Sequence, residues 1–259
     1  YGDIQHIGLG EQGLYHEGTR YLSRYELNIN KRRPMLLHST VREDNSLLTV
    51  DLTTSDLYAD NELIIPKDTL HIFRAKLLWQ GVHYEHLRIV NYRRHPIRLE
   101  LDFSFDADYA DIFEVRGVKR KLRGTALPVQ HEEKSLVLGH QGLDGVKRQT
   151  RILFSQQPDV IDKKRICFTL DLPPTESQDL YITVTTESDE QQPSLLSYDE
   201  AYRQSDLAQR AGEENICHIF TSNEQFNDWI NRSAADLQML TTETPHGEYP
   251  YAGVPWFST

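Results

Sequence analysis

Ile97-Arg-Leu-Glu-Leu-Asp-Phe-Ser-Phe105 decides the fold: Ile97, Leu99, Leu101, Phe103 and Phe105 alternate with Arg98, Glu100, Asp102 and Ser104. Side chains of a strand point alternately to its two faces, so this stretch reads as a strand with one buried face and one wetted face. Outward from it, apolar and aromatic runs recur at 47–53, 70–80 and 82–91 on one side. On the other side they recur at 135–139, 149–155, 165–172 and 179–186, with turn residues between them. Gln80-Gly81 joins two runs as a tight hairpin does, and Pro-Thr-Glu-Ser separates the last two. No helical pattern of ten residues intervenes, which disfavours a parallel sheet. The expectation is a mainly β chain whose antiparallel strands form a two-sheet β-sandwich.

Beyond Pro193 the period changes. Ser197-Tyr-Asp-Glu200 has the form of a capping box and opens a helix to about Ala211, where Gly212 can end it. Ser222-Asn-Glu-Gln225 opens a second helix, with Phe226, Trp229, Ile230, Ala234, Leu237 and Leu240 on one apolar stripe. Two helices cannot bury that stripe between themselves, so they are expected to dock on the sandwich or on a helical body outside this sequence. The domain expectation is therefore a sandwich over residues 1–192 and a helical segment over 193–259.

The 259 residues exceed one average domain. Twelve acids and three bases fall in 189–248, most of the net charge of -11. That segment repels nucleic acid and anionic lipid, so neither is expected as a partner. No apolar run reaches the ~18 residues of a membrane span. Two cysteines, Cys167 and Cys217, with no Cys-x-x-Cys, exclude a disulfide scaffold and a Cys-rich zinc site and suit a reducing, cytoplasmic compartment. The first residue is Tyr1 and the last residues are aromatic, and both ends read as cut from a longer chain.

Gly8-Leu-Gly10-Glu-Gln-Gly13 matches the dinucleotide fingerprint literally, but a turn and strand follow it where a helix is required, and Glu11 would face the phosphates. His83 and His86 fall on opposite faces of one strand and cannot share a metal; they read as sheet-surface histidines. No cofactor and no metal is expected. Asn231-Arg-Ser233 is a sequon placed mid-helix. Asp102, Asp106, Asp108, Asp111 and Glu114 form the densest acid cluster, and Arg116, Lys119, Arg120, Lys121 and Arg123 follow. Paired carboxylates suit glycoside hydrolysis, although acids paired with the adjacent arginines are the simpler reading. Tyr249-Pro-Tyr-Ala-Gly-Val-Pro-Trp-Phe257 holds four aromatics, which suits either stacking on sugar faces or plain packing.

Four ordered stretches carry a family resemblance: 13–27 (Gly-Leu-Tyr-His-Glu-Gly-Thr-Arg-Tyr-Leu-Ser-Arg-Tyr-Glu-Leu), 44–53 (Asp-Asn-Ser-Leu-Leu-Thr-Val-Asp-Leu-Thr), 109–117 (Tyr-Ala-Asp-Ile-Phe-Glu-Val-Arg-Gly) and 250–259 (Pro-Tyr-Ala-Gly-Val-Pro-Trp-Phe-Ser-Thr). The chain resembles the N-terminal region of bacterial proteins related to amylo-alpha-1,6-glucosidases, the glycogen-debranching type. The resemblance implies a supersandwich-like N-terminal β-sandwich, linker helices, and a helical (α/α) toroid that supplies the general acid and base for inverting hydrolysis of alpha-glucosidic bonds. It further implies that this segment holds no catalytic residue. Trp256 and Phe257 would edge the substrate pocket, while Arg20, Asp111 and Glu114 would lie on loops facing the toroid. The implied partners are an alpha-glucan or glucoside substrate and the intramolecular catalytic domain. The competing expectation is a stand-alone carbohydrate-binding or protein-interaction sandwich.

Overall fold

A computed structural model describes residues 1–5, 10–59, 61–189, 192–213 and 219–250. In chain order the strands are β1 (Leu14–His16), β2 (Thr19–Leu22), β3 (Arg24–Ile29), β4 (Met35–Val41), β5 (Leu48–Thr53), β6 (Leu57–Ala59), β7 (Glu62–Ile65), β8 (Leu70–Trp79), β9 (Val82–Asn91) and β10 (Ile97–Asp106). A helical turn α1 (Ile112–Val115) precedes β11 (Thr125–Ala126), β12 (Gln130–Glu132), β13 (Ser135–Gln141), β14 (Lys147–Phe154), β15 (Val160–Asp162), β16 (Arg165–Leu172) and β17 (Ser177–Ser188). Helices α2 (Tyr198–Glu213) and α3 (Glu224–Leu240) follow, then the hairpin β18 (Thr241–Thr244) and β19 (Gly247–Pro250).

The fold is mainly β and antiparallel, as the alternation predicts. A large sheet runs in the order β11-β13-β14-β17-β9-β8-β5-β4, with β12 also on β13, and a four-stranded sheet runs β15-β16-β10-β3. The odd-numbered residues of β10 form one wall of the core between these sheets, and Leu101 and Phe103 are fully excluded from solvent. Phe154 of β14 meets them from the other sheet, with ring centroids 6.4 Å from Phe103 and 6.1 Å from Phe105. Aromatic pairs at such separations add about 0.5–1.5 kcal/mol to the burial itself.

Gln80 and Gly81 both adopt positive φ, 48° and 76°. This is the geometry whose twist matches a two-residue hairpin. It fixes the β8–β9 register, Trp79 opposite Val82 and Lys76 opposite Glu85. The far edge of the large sheet is β4, whose seven residues are all exposed and whose pairing with β5 is interrupted between Leu36 and His38.

The helices depart from expectation at two points. Gly212 does not end α2; it lies inside the helix, where an added Cβ would sit 1.9 Å from the Gln238 side chain of α3. The residue is small because α3 approaches there. The cap of α3 is Asn223 rather than Ser222, its side chain accepting from the Phe226 N–H at 3.1 Å. Both helices use short polar caps to satisfy first-turn donors. The outer face of the large sheet receives α2: Ala201 is fully buried against Leu77, Val82 and Tyr84, with Tyr198 and Tyr202 beside it. In contrast α3 buries no residue, and Phe226, Trp229, Leu237 and Met239 lie open.

Candidate functional site

Two regions gather chemistry-bearing side chains. The first is an open cleft of about 750 Å³ at the end of the sandwich where the β8–β9 hairpin, the 42–47 turn, the N-terminal segment and both helices meet. Trp79, Asn45, Gln209, Gln238 and Met239 contribute to its wall, and Tyr25, Lys76 and His83 lie at its floor. A mixed apolar and amide lining of this size suits a small polar ligand.

The floor is a charged network on the inner face of the sheet. Lys76 Nζ lies 2.9 Å from Glu85 Oε2 and 4.0 Å above the Tyr25 ring. Arg74 Nε donates to Glu85 Oε1 at 2.6 Å and its Nη1 donates to Asp3 Oδ1 at 2.6 Å. The Tyr25 hydroxyl donates to Glu85 Oε2. Arg74 and Glu85 are wholly buried. Burial alone would neutralise Glu85, but Arg74 and Lys76 outweigh it and hold the carboxyl well below its ordinary value. Burial and the neighbouring Arg74 bring Lys76 down to about 8 against the pull of Glu85. Burial and Lys76 bring His83 down to about 3, so its ring is neutral. His83 Nδ1 is sequestered and has no hydrogen-bond partner among the described residues. The expectation of surface histidines therefore fails at His83, which points inward. His86 points outward, its ring stacked 4.7 Å from Tyr181 and its Nε2 2.6 Å from Asp179.

The second region is the acid cluster with β1 and β2. Arg20 is 4% exposed and grips Asp108 with two parallel bonds, Nε to Oδ1 at 3.0 Å and Nη2 to Oδ2 at 2.5 Å. It also donates to the carbonyls of Gly10 and Gln12. Burial opposes its charge, yet Asp108 more than compensates and raises the guanidinium above its usual value. Burial likewise acts against the Asp108 carboxylate, and Arg20 overrides it, leaving that group below the usual range. Gly13 fits against this arginine: an added Cβ would stand 2.5 Å from Arg20 Cδ. Because Gly13 also borders the cleft, the two regions share a wall.

Asp111 caps α1, accepting from the Phe113 and Glu114 N–H groups at 2.8 Å, and Glu114 returns the contact to the Asp111 N–H at 3.1 Å. Asp111 pairs with Arg120 at 2.7 Å and Glu114 with Arg123 at 2.9 Å. Thr19 bridges to Asp111 and the Arg20 N–H donates to Ala110 O at 2.9 Å, so Arg20, Asp111 and Glu114 form one patch. Each is committed to an ion pair. Trp256 and Phe257, together with Cys217 and Gly8, lie outside the described residues.

The carboxylates in the cleft wall are also taken: Asp3 by Arg74, and Asp44 by the Ser46 N–H at 2.9 Å with Arg42 at 3.4 Å. Neither region presents two unpaired acids facing each other across a gap among the described residues. A glycosidic bond cleaved by an acid and a base needs such a pair.

The family described as the N-terminal domain of some glycogen debranching enzymes matches residues 1–183. The chain belongs to that family. The match takes in both sheets except the end of β17, and it includes the Arg20 patch and the floor of the cleft. Among solved structures, one described as a kojibiose phosphorylase from the human microbiome is similar at 11% identity and TM-score 0.47, over 86% of this chain and 29% of that one. A heparan sulfate lyase, HepC from Pedobacter heparinus, is similar at 10% identity and TM-score 0.33, over 65% of this chain and 25% of that one. The chain thus spans under a third of either structure. No curated protein matches it.

Proposed function

We propose that this chain is the non-catalytic N-terminal sandwich and linker of a glycoside hydrolase acting on alpha-glucans, of the amylo-alpha-1,6-glucosidase type. On this reading residues 1–192 form the sandwich and 193–259 lead into a helical catalytic toroid that supplies both acids of an inverting reaction. The observation that carries it is that the debranching-family match covers a region in which every acid of the candidate patch and of the cleft wall already has a partner. The segment then acts by shape: it seats the toroid and offers loops, including that of Arg20, Asp111 and Glu114, at the rim of the substrate cleft. Trp256 and Phe257 are assigned to the pocket edge. The open stripe of Phe226, Trp229 and Leu237 favours this reading, since apolar faces of that kind mark surfaces covered by another body.

The test is a product assay on the full-length gene product with alpha-1,6-branched and linear alpha-glucans, beside residues 1–259 alone. Hydrolysis with inversion by the former and none by the latter is expected. A full-length protein inert on every alpha-glucoside would remove the enzymatic part. Saturable maltooligosaccharide binding by 1–259 in a protein without a catalytic half would favour the stand-alone binding module, for which the amide-lined cleft is the supporting observation.

A further inference from the structure

Glu100 and Asp102 stand two residues apart on β10 and so share its outward face, the one turned away from the core. The register of the neighbouring strand sets Cys167 of β16 directly opposite Asp102. One ligand atom from each of the three lies within 4.8 Å of the others. Two donors at i and i+2 of one strand with a third from the adjacent strand is the way a sheet surface offers three ligands to a single point, because cross-strand neighbours on one face are about 5 Å apart.

A second observation marks the spot. Asp102 is only 4% exposed, and its two oxygens are in different states. Oδ1 accepts from Arg165 Nε at 2.8 Å and from Nη2 as well. Oδ2 is buried with no hydrogen bond of proper geometry among the described residues, the Cys167 thiol being its neighbour. An orphaned carboxylate oxygen is costly and is among the features that an ion explains. Arg165 holds the carboxylate in one orientation, as the outer partners of metal ligands do.

We propose that Glu100, Asp102 through Oδ2 and Cys167 bind a borderline divalent cation, of which zinc is the best fit. A thiolate with two carboxylates is a donor set that zinc accepts, and three protein ligands leave a fourth position for water. On binding, the Cys167 S–H bond breaks, its proton passes to solvent and a sulfur–metal bond forms. Three anionic ligands and Arg165 then sum to a charge of about -2, which a dication cancels. Tetrahedral bonds of about 2.0–2.3 Å place ligand atoms about 3.3–3.8 Å apart; with all three atoms within 4.8 Å of one another, any closure needed is small, and the exposed Glu100 side chain can supply it.

The probe is cobalt(II), with zinc as competitor, on the full chain carrying Cys217→Ser so that Cys167 is the remaining thiol. Expected are a thiolate-to-cobalt charge-transfer band that zinc abolishes, loss of the band in Cys167→Ser, and at least about a tenfold weaker affinity in Glu100→Gln, whose exposed position leaves folding intact. Absence of the band at saturating cobalt would mean that the thiol simply donates to Asp102 Oδ2, and the proposal falls. A band that survives Cys167→Ser, or an affinity unchanged in Glu100→Gln, overturns it equally.

Discussion

The molecule keeps charge in two places under different rules. At the floor of the cleft, Arg74, Lys76, Glu85 and Asp3 sit between the sheets with almost no water. On the 106–123 loop, Asp111–Arg120 and Glu114–Arg123 pair with their arginines at the surface, while in Arg20–Asp108 the arginine itself is buried. The difference teaches that the same residue types fix the fold in one place and decorate it in the other. A buried pair that loses one member strands the other in a low dielectric, whereas a surface pair that loses one member hands the other to solvent.

That contrast can be broken by mutation. Glu85→Gln is expected to cost about 3–5 kcal/mol in urea unfolding, because it leaves Asp3 as the one carboxylate against Arg74 and strands Lys76 in the core. A loss near zero would show that water reaches the floor. Arg20→Ala should cost less, about 2–3 kcal/mol, through the loss of two carboxylate bonds and two carbonyl bonds at an otherwise buried stem. Arg120→Ala and Arg123→Ala should each change stability by less than about 1 kcal/mol by the same measurement.

Acid sharpens the comparison further. The folded pKa of His83 lies near 3, below its unfolded value of 6.5, so between those values the unfolded chain binds more protons and stability falls as pH falls. Each pH unit in that window removes up to about 1.4 kcal/mol for this one group. Glu85, also depressed, adds its own loss below about pH 4.5. Lys76 acts in the alkaline range: depressed to about 8, it lets stability rise between about 8 and 10.5. Chemical denaturation from pH 3 to 7 should therefore show a steep limb above pH 4.5 that His83→Gln flattens. Equal slopes in the two proteins would place His83 in water.

The sandwich was legible because strand alternation is local: Ile97 to Phe105 carries its own evidence, and Gln80-Gly81 carries the turn. The charged floor was not, since Arg74 and Lys76 share a face with Leu70 and Ile72 and so blur the pattern of β8. A signal existed all the same. Once the two-residue turn is fixed, every pair in the hairpin is fixed, and Lys76 must oppose Glu85. The inward direction of His83 follows from that register too, because it shares a face with Glu85. The pairing of Arg20 with Asp108, 88 residues apart, has no such local signal. Cys167 and Asp102 are likewise brought together only by the order of strands in the smaller sheet.

The exposed edge strand β4 has one more consequence. Met35, Leu36, Leu37 and Val41 stand beside a row of amides and carbonyls with no neighbouring chain on that side among the described strands. Such a rim is a template for cross-molecular strand addition, and the irregularity at Leu37 is the kind of kink that discourages it. Any ordered self-association of the sandwich in concentrated solution should therefore run through this rim, and Leu37→Lys should suppress it.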